Sequence, residues 1–186
     1  MVVHSQAVSS LCLDCGLCCD GSLFDVVELL DSEVNPVGPT RMLKSGGRAF
    51  NQPCQCFDGK CSIYESRPER CAAYLCDTAK LVNSGWLSLG RGQARVKKMR
   101  AHIDTFRHLS GDQCAPMPTL VKRVIKDYKA QRTDPAYANA NRTIINAAYR
   151  YRTLKSLYFK SRWKRYARRF LRFAASFNPI RMYREK

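Results

Sequence analysis

The chain has 186 residues, of which 45% are hydrophobic, so it can form a folded core and is not expected to be disordered throughout. Its 32 lysines and arginines against 15 aspartates and glutamates give a net charge of +17 at pH 7. Residues 1–76 carry 6 basic and 9 acidic side chains, whereas residues 141–186 carry 14 and 1. The sequence contains no apolar run of about 18 residues, which excludes a membrane-spanning helix.

Ten cysteines are the second unusual feature, and nine of them lie within residues 1–76. The N-terminus lacks a basic region followed by an apolar run, so we predict no secretory signal and a cytoplasmic location. In a reducing compartment, clustered cysteines are more often metal ligands or redox thiols than disulfides. The first 76 residues are therefore predicted to hold a metal or an iron–sulfur cluster.

The first cysteine motif reads Cys12-Leu-Asp-Cys15-Gly-Leu-Cys18-Cys19. A Cys-x-x-Cys turn brings two sulfurs to one ion and leaves backbone amides facing the thiolates. Gly16 allows the backbone between these cysteines to turn sharply with a positive φ. The apolar run that follows, residues 24–30, is predicted to be a strand or a short helix.

A second cysteine group follows after residue 50, and only folding can bring it beside the first; its members are Cys54, Cys56, Cys61, Cys71 and Cys76. We predict one joint site. Tetrahedral zinc and a four-iron cluster each need about four protein ligands, so nine cysteines exceed one simple site. Either two ions share bridging thiolates, or some of the cysteines are spare.

Local signals around the second group also indicate a site. Asp58-Gly59 predicts a turn that faces Cys61 inward, and Pro68 predicts the start of a short helix that orients Cys71 and Cys76. Arg67 or Arg70 could offset the negative charge of several thiolates. A capping and packing role for these residues is the alternative.

At these residues the chain resembles the YkgJ-like CxxCxxCC cysteine-cluster family, whose members are described as zinc- or iron-chelating domains. The first hallmark is the Cys12–Cys19 run. The second is Cys54 followed by Cys61-Ser-Ile-Tyr-Glu-Ser-Arg-Pro-Glu-Arg-Cys71. The resemblance covers roughly residues 12–76 and implies metal chelation rather than a particular reaction.

The resemblance also implies which cysteines bind the metal; this set is Cys12, Cys15, Cys18, Cys19, Cys54, Cys61, Cys71 and Cys76. Cys56 departs from the family pattern, which usually has apolar residues after the Cys54 position. Cys114 stands alone and is interpreted as a packing residue.

Beyond residue 76 the sequence is predicted to be helical over residues 93–109 and 118–132, with apolar residues at helical spacing in the second. Residues 86–95, broken by Gly90 and Gly92, are predicted to form a hairpin or a loop leading into the first helix. Residues 135–177 are predicted to be helical, with Asn178-Pro179 as the stop signal.

An aromatic stripe at steps of three and four marks the C-terminal helix, and arginines and lysines flank it; the stripe is Phe159, Trp163, Tyr166, Phe170, Phe173 and Phe177. The stripe could pack on the cysteine domain. Alternatively, residues 150–177 could bind a polyanion, either nucleic acid or an anionic membrane surface.

The sequence thus predicts a mainly α protein in three parts: a cysteine-rich metal-binding module (1–80), a helical part that completes the core (81–134) and a basic amphipathic helical extension (135–186). The predicted function is to bind an iron–sulfur cluster, with a four-iron cluster as first choice, or zinc. The alternatives are a cluster-dependent redox or modifying enzyme and a zinc-stapled polyanion-binding module. No P-loop, dinucleotide-binding glycine pattern or Ser-His-Asp arrangement is present.

Overall fold

The computed structural model describes residues 5–33 and 37–159. Within them, the α-helices are Gln6–Cys15 (α1), Glu69–Ala73 (α2), Asp77–Asn83 (α3), Leu89–Ser110 (α4), Met117–Ala130 (α5), Pro135–Ala140 (α6) and Arg142–Leu154 (α7). A 3-10 turn over Tyr64–Ser66 precedes α2, and a π-helical turn over Lys155–Phe159 follows α7. The prediction of a mainly α protein is confirmed.

The helices α1, α3, α4, α5 and α7 share one hydrophobic core. Helix α4 crosses its centre, where Met99 and Phe106 are fully buried, and packs against α1, α3 and α7. Tyr151 of α7 is also buried, and its hydroxyl donates a hydrogen bond to the carbonyl of Ser22, in the loop after α1. None of the helices within residues 5–33 and 37–159 is long and apolar enough to cross a bilayer.

A small antiparallel sheet lies beside the helices. Its strands are Val26–Glu28 (β1), Thr40–Met42 (β2) and Arg48–Asn51 (β3), in the order β1-β3-β2. A second small core beneath the sheet contains Leu29, Val37, Phe50 and Cys54. The strands Phe57–Asp58 (β4) and Lys60–Cys61 (β5) form a hairpin. The run over residues 24–30 therefore contains a strand rather than a helix.

The prediction of a hairpin or loop over residues 86–95 is wrong from residue 89 onward, where α4 begins. Ser88 caps the helix, because its hydroxyl accepts a hydrogen bond from the backbone N–H of Arg91 at 3.4 Å. Gly92 lies inside α4 for a packing reason: a Cβ there would stand 3.1 Å from Val82 of α3 and 3.3 Å from Leu11 of α1. The glycine lets three helices approach closely.

The helix predicted over residues 118–132 is confirmed as α5. The one predicted over residues 135–177 is divided at Asn141 into α6 and α7, and the π-helical turn then ends at Phe159. Phe159 is buried. The rest of the aromatic stripe and most of the range 150–177 lie outside the described residues.

Candidate metal centre

A cavity of about 280 Å³ lies where the end of α1, the strand β1 and the connection between α2 and α3 meet. Eight cysteines line it, and they are Cys12, Cys15, Cys18, Cys19, Cys54, Cys61, Cys71 and Cys76. These are the eight residues of the predicted metal set, so the fold brings both cysteine motifs to one place. Their role as ligands stays a prediction. Cys56 does not line the cavity, and Cys114 is exposed.

The end of α1 delivers the first four cysteines. Gly16 ends the helix in the left-handed region, with φ of 55°, and its N–H donates to the carbonyl of Cys12 at 3.2 Å. The N–H of Cys19 then donates to the carbonyl of Gly16 at 2.8 Å. The chain therefore folds back at this glycine, and Cys18 and Cys19 line the same cavity as Cys12.

The second motif joins the first through the backbone. The N–H of Cys54 donates to the carbonyl of Cys19 at 2.7 Å. Gly59, with φ of 68°, forms the β4–β5 turn and places Cys61 against the cavity. The turn predicted at Asp58-Gly59 is therefore present.

Two short helices position the last two cysteines. Pro68 precedes α2, as predicted, and a carboxylate oxygen of Glu33 accepts the N–H of Glu69 at 2.6 Å, so an unpaired donor at the start of α2 is satisfied. Helix α2 carries Cys71. The prediction that the same helix orients Cys76 is wrong, because α2 ends at Ala73. Cys76 is instead the N-cap of α3, where its sulfur accepts a hydrogen bond from the N–H of Ala79 at 3.4 Å.

Burial dominates the electrostatics of the thiols. It raises the pKa of Cys12 to about 11, and those of Cys15 and Cys71 to about 12. Desolvation also raises the pKa of Cys18 and of Cys76. These thiols are therefore protonated at neutral pH, and a metal that binds them as thiolates must displace their protons.

Cys61 is different, because a neighbouring thiol stabilises its thiolate. The Cys19 thiol donates a hydrogen bond to the Cys61 sulfur, which lowers the pKa of Cys61 to about 6 and raises that of Cys19. Burial of Cys61 opposes this effect, and the N–H of Ile63 and the charge of Arg67 assist it. Cys61 is thus a preformed thiolate among protonated thiols.

This asymmetry predicts selective alkylation of the metal-free protein. With limiting iodoacetamide at about pH 7, Cys61 is expected to react first, since a thiol of pKa about 6 is then about nine-tenths thiolate. Peptide mapping by mass spectrometry measures the order of modification. The substitution Cys19→Ala should slow the reaction of Cys61 at least several-fold, because the hydrogen-bond donor is lost.

Two controls accompany this experiment. Cys56→Ala leaves the bond between Cys19 and Cys61 in place and should not change the rate at Cys61. Cys114 is exposed and should react equally with and without metal, whereas metal should protect Cys61. Alkylation of Cys12 or Cys15 before Cys61 would contradict the assignment.

Three buried polar atoms without a hydrogen-bond partner among the described residues belong to side chains that line the same cavity. They are Gln52 Oε1, the Tyr64 hydroxyl oxygen and Arg67 Nε. The guanidinium of Arg67 also stacks on the Tyr64 ring, with its central carbon 3.6 Å from the ring centroid. Gln52 Oε1 is an acceptor, whereas the Tyr64 hydroxyl and Arg67 Nε are donors. Buried donors without partners are costly, so this part of the wall fits a bound group that accepts hydrogen bonds.

The thiols surround the cavity but do not converge on one point. Among residues 5–33 and 37–159, no three His, Cys, Asp or Glu side chains are arranged as a ready ligand set for one ion. Side-chain rotation about Cα–Cβ bonds would therefore have to accompany binding. By donor type and number the site fits a thiophilic metal, since soft thiolates select zinc, copper(I) and iron–sulfur clusters.

Sequence reasoning missed Arg100, which lies 85 positions after the residue it supports. Its guanidinium donates to the carbonyl of Cys15 and stands 3.8 Å from the carboxylate of Asp20. No local pattern signals this contact, because it depends on the packing of a distant helix against the first motif. Phe159, the first residue of the aromatic stripe, lines the cavity, as expected if the stripe packs on the cysteine domain.

Comparison with known proteins agrees with the motifs. Neither the curated proteins nor the solved structures contain a match to the chain. Residues 11–87 match the family model CxxCxxCC, described as a "putative zinc- or iron-chelating domain". The eight cysteines that line the cavity all fall within the matched residues, and the resemblance read from the motifs is confirmed as a match over residues 11–87.

Proposed function

We propose that this chain is a metal-binding protein that holds an iron–sulfur cluster or zinc in the cavity at the end of α1. The eight cysteines Cys12, Cys15, Cys18, Cys19, Cys54, Cys61, Cys71 and Cys76 supply the ligands. The observation that carries the proposal is that thiols from residues 12 to 76 line one cavity. When bound, the metal supplies redox chemistry if it is iron and a structural staple if it is zinc.

Iron–sulfur is the first choice because of the cavity wall. A cluster carries sulfide atoms that accept hydrogen bonds, and such bonds tune its potential. Two buried donors, Arg67 Nε and the Tyr64 hydroxyl, have no partner among the described residues and belong to side chains lining this cavity. A zinc ion held by four thiolates offers only its ligands as acceptors.

Metal and sulfide analysis of protein purified without oxygen tests the proposal. Iron with acid-labile sulfide and a brown chromophore would identify a cluster, whereas a colourless protein with stoichiometric zinc would identify a zinc site. The Cys12→Ser/Cys15→Ser variant should lose metal. Cys114→Ser should keep it, because Cys114 is exposed and does not line the cavity.

A variant in which serine replaces all eight cavity cysteines sets the background. Wild-type protein that holds no more metal than this variant would overturn the proposal. Iron with sulfide would favour a carrier, a sensor or a cluster-dependent redox or modifying enzyme. Zinc would favour a module whose fold the ion stabilises. Binding of a polyanion through residues 150–177, and the division of the chain at residues 80 and 134, stay predictions.

A further inference from the structure

Four of the cavity cysteines contact the helical core. Cys12, Cys15, Cys18 and Cys76 pack against the cluster of buried residues formed by α1, α3, α4, α5 and α7. Two of them lie on α1 and one caps α3, and these two helices pack against each other. We name these four cysteines the helical set.

The other four cysteines belong to the sheet side. Cys54 is part of the small core beneath the sheet, and Cys19, Cys56 and Cys71 pack against it. Cys56 is left out of the set because it does not line the cavity. Cys61 joins the other three because it pairs with Phe57 across the β4–β5 hairpin, and Phe57 packs against the same core. We name Cys19, Cys54, Cys61 and Cys71 the sheet set.

The boundary between the two sets falls inside the first motif, between the neighbouring residues Cys18 and Cys19. The backbone explains this division, since the carbonyl of Cys19 accepts the N–H of Cys54 and so holds Cys19 to the sheet side. Consecutive residues then contribute to different sides of one cavity. The final Cys-Cys pair of a CxxCxxCC run makes this possible, because it carries two sulfurs on adjacent residues that can contribute to different sides of the cavity.

From this packing we infer that the cavity holds two metal centres side by side, one bound by the helical set and one by the sheet set. The inference rests on the proposed metal-binding function. Each set supplies four thiols, the number that one tetrahedral zinc ion or one four-iron cluster takes. No cysteine lining the cavity is then spare, and no thiolate has to bridge two centres.

The two sets are neighbours, since all eight cysteines line one cavity. They meet where α1, which carries Cys12 and Cys15, contacts β5, which carries Cys61.

Titration of the metal-free full chain with Co²⁺ tests the inference, because thiolate-bound cobalt absorbs strongly in the visible and near-ultraviolet. The wild-type absorbance should saturate at two equivalents of Co²⁺. Cys15→Ser/Cys76→Ser removes half of the helical set, and Cys61→Ser/Cys71→Ser removes half of the sheet set. Each variant should saturate at one equivalent, with about half of the wild-type absorbance, and native mass spectrometry should count the bound ions.

A wild-type endpoint at one equivalent would overturn the inference while leaving the metal-binding function in place. Loss of both ions in either double variant that still shows the wild-type circular dichroism would show a single joint centre and would also overturn it. If a double variant fails to fold, the number of Co²⁺ ions bound by the wild type and by the single variants Cys12→Ser and Cys54→Ser tests the inference in its place. No stoichiometric cobalt in the wild type would instead count against the proposed function itself.

Discussion

Lowering the pH by one unit, from about 8 to about 7, is expected to weaken metal binding by about ten-thousand-fold at the helical set, since each of four bound thiolates has displaced one proton. Burial raises the pKa of all four of these thiols, so they stay protonated across this range in the metal-free protein. At the sheet set the expected change is about a thousand-fold, because Cys61 has a pKa of about 6 and has already lost its proton.

The direction of this pH effect on metal affinity follows from the protonation states of the thiols. The metal-free site binds more protons than the metal-bound site, so acid favours release and alkali favours binding. Competition with a chelator of known affinity, repeated across this pH range, measures the slope once the chelator's own protonation is included. The Cys114→Ser variant is the control and should give the wild-type slope. An affinity independent of pH would show that the thiols are not the ligands.

The second large effect is expected from Gly16→Ala, which should reduce the free energy of unfolding by about 2 to 4 kcal/mol. One part of this loss comes from the backbone, since φ is 55° and an L-residue is strained there. The other part is steric, because a Cβ at Gly16 would stand 2.5 Å from the ring of Phe57, which packs against the core beneath the sheet. The displaced ring should also reduce metal content.

Gly111→Ala is the matched control for this substitution. Gly111 also ends a helix in the left-handed region, with φ of 67°, but nothing lies within 4 Å of the position of its Cβ. Gly111→Ala should therefore reduce the free energy of unfolding only by the backbone part, about 1 to 2 kcal/mol, and should leave metal content unchanged. Denaturant unfolding measures both losses. Equal losses in the two variants would show that contact with Phe57 does not matter.

Local chemistry made much of the site predictable from the sequence. Gly16 and Gly59 adopt positive φ where the motifs require turns, and α2 begins directly after Pro68. Each of these features depends on one or two neighbouring residues, so the sequence carries the signal in full. The cysteines around these turns accordingly line the cavity.

Features that depend on distant packing could not be read from the sequence. Gly92 looks like a helix breaker, yet it lies within α4 because Val82 and Leu11 need the space that a side chain would fill. The division of the cysteines between two cores also needs the fold, since Cys18 and Cys19 are neighbours in the chain. Spacing alone left two alternatives open, either two ions that share bridging thiolates or a site with spare cysteines.

The π-helical turn at the end of α7 fastens residue 159 to the wall of the cavity. The Tyr74 hydroxyl donates to the carbonyl of Phe159 at 2.5 Å, and the Thr78 hydroxyl donates to that of Tyr158 at 2.7 Å. The two donors, Tyr74 and Thr78, lie on either side of Cys76 in the chain. Anything that draws residue 159 away from the core must break both bonds and remove the Phe159 ring from beside the thiols. These two hydrogen bonds therefore act as a latch that keeps Phe159 beside the thiols, and breaking them would expose the thiols to water and chelators.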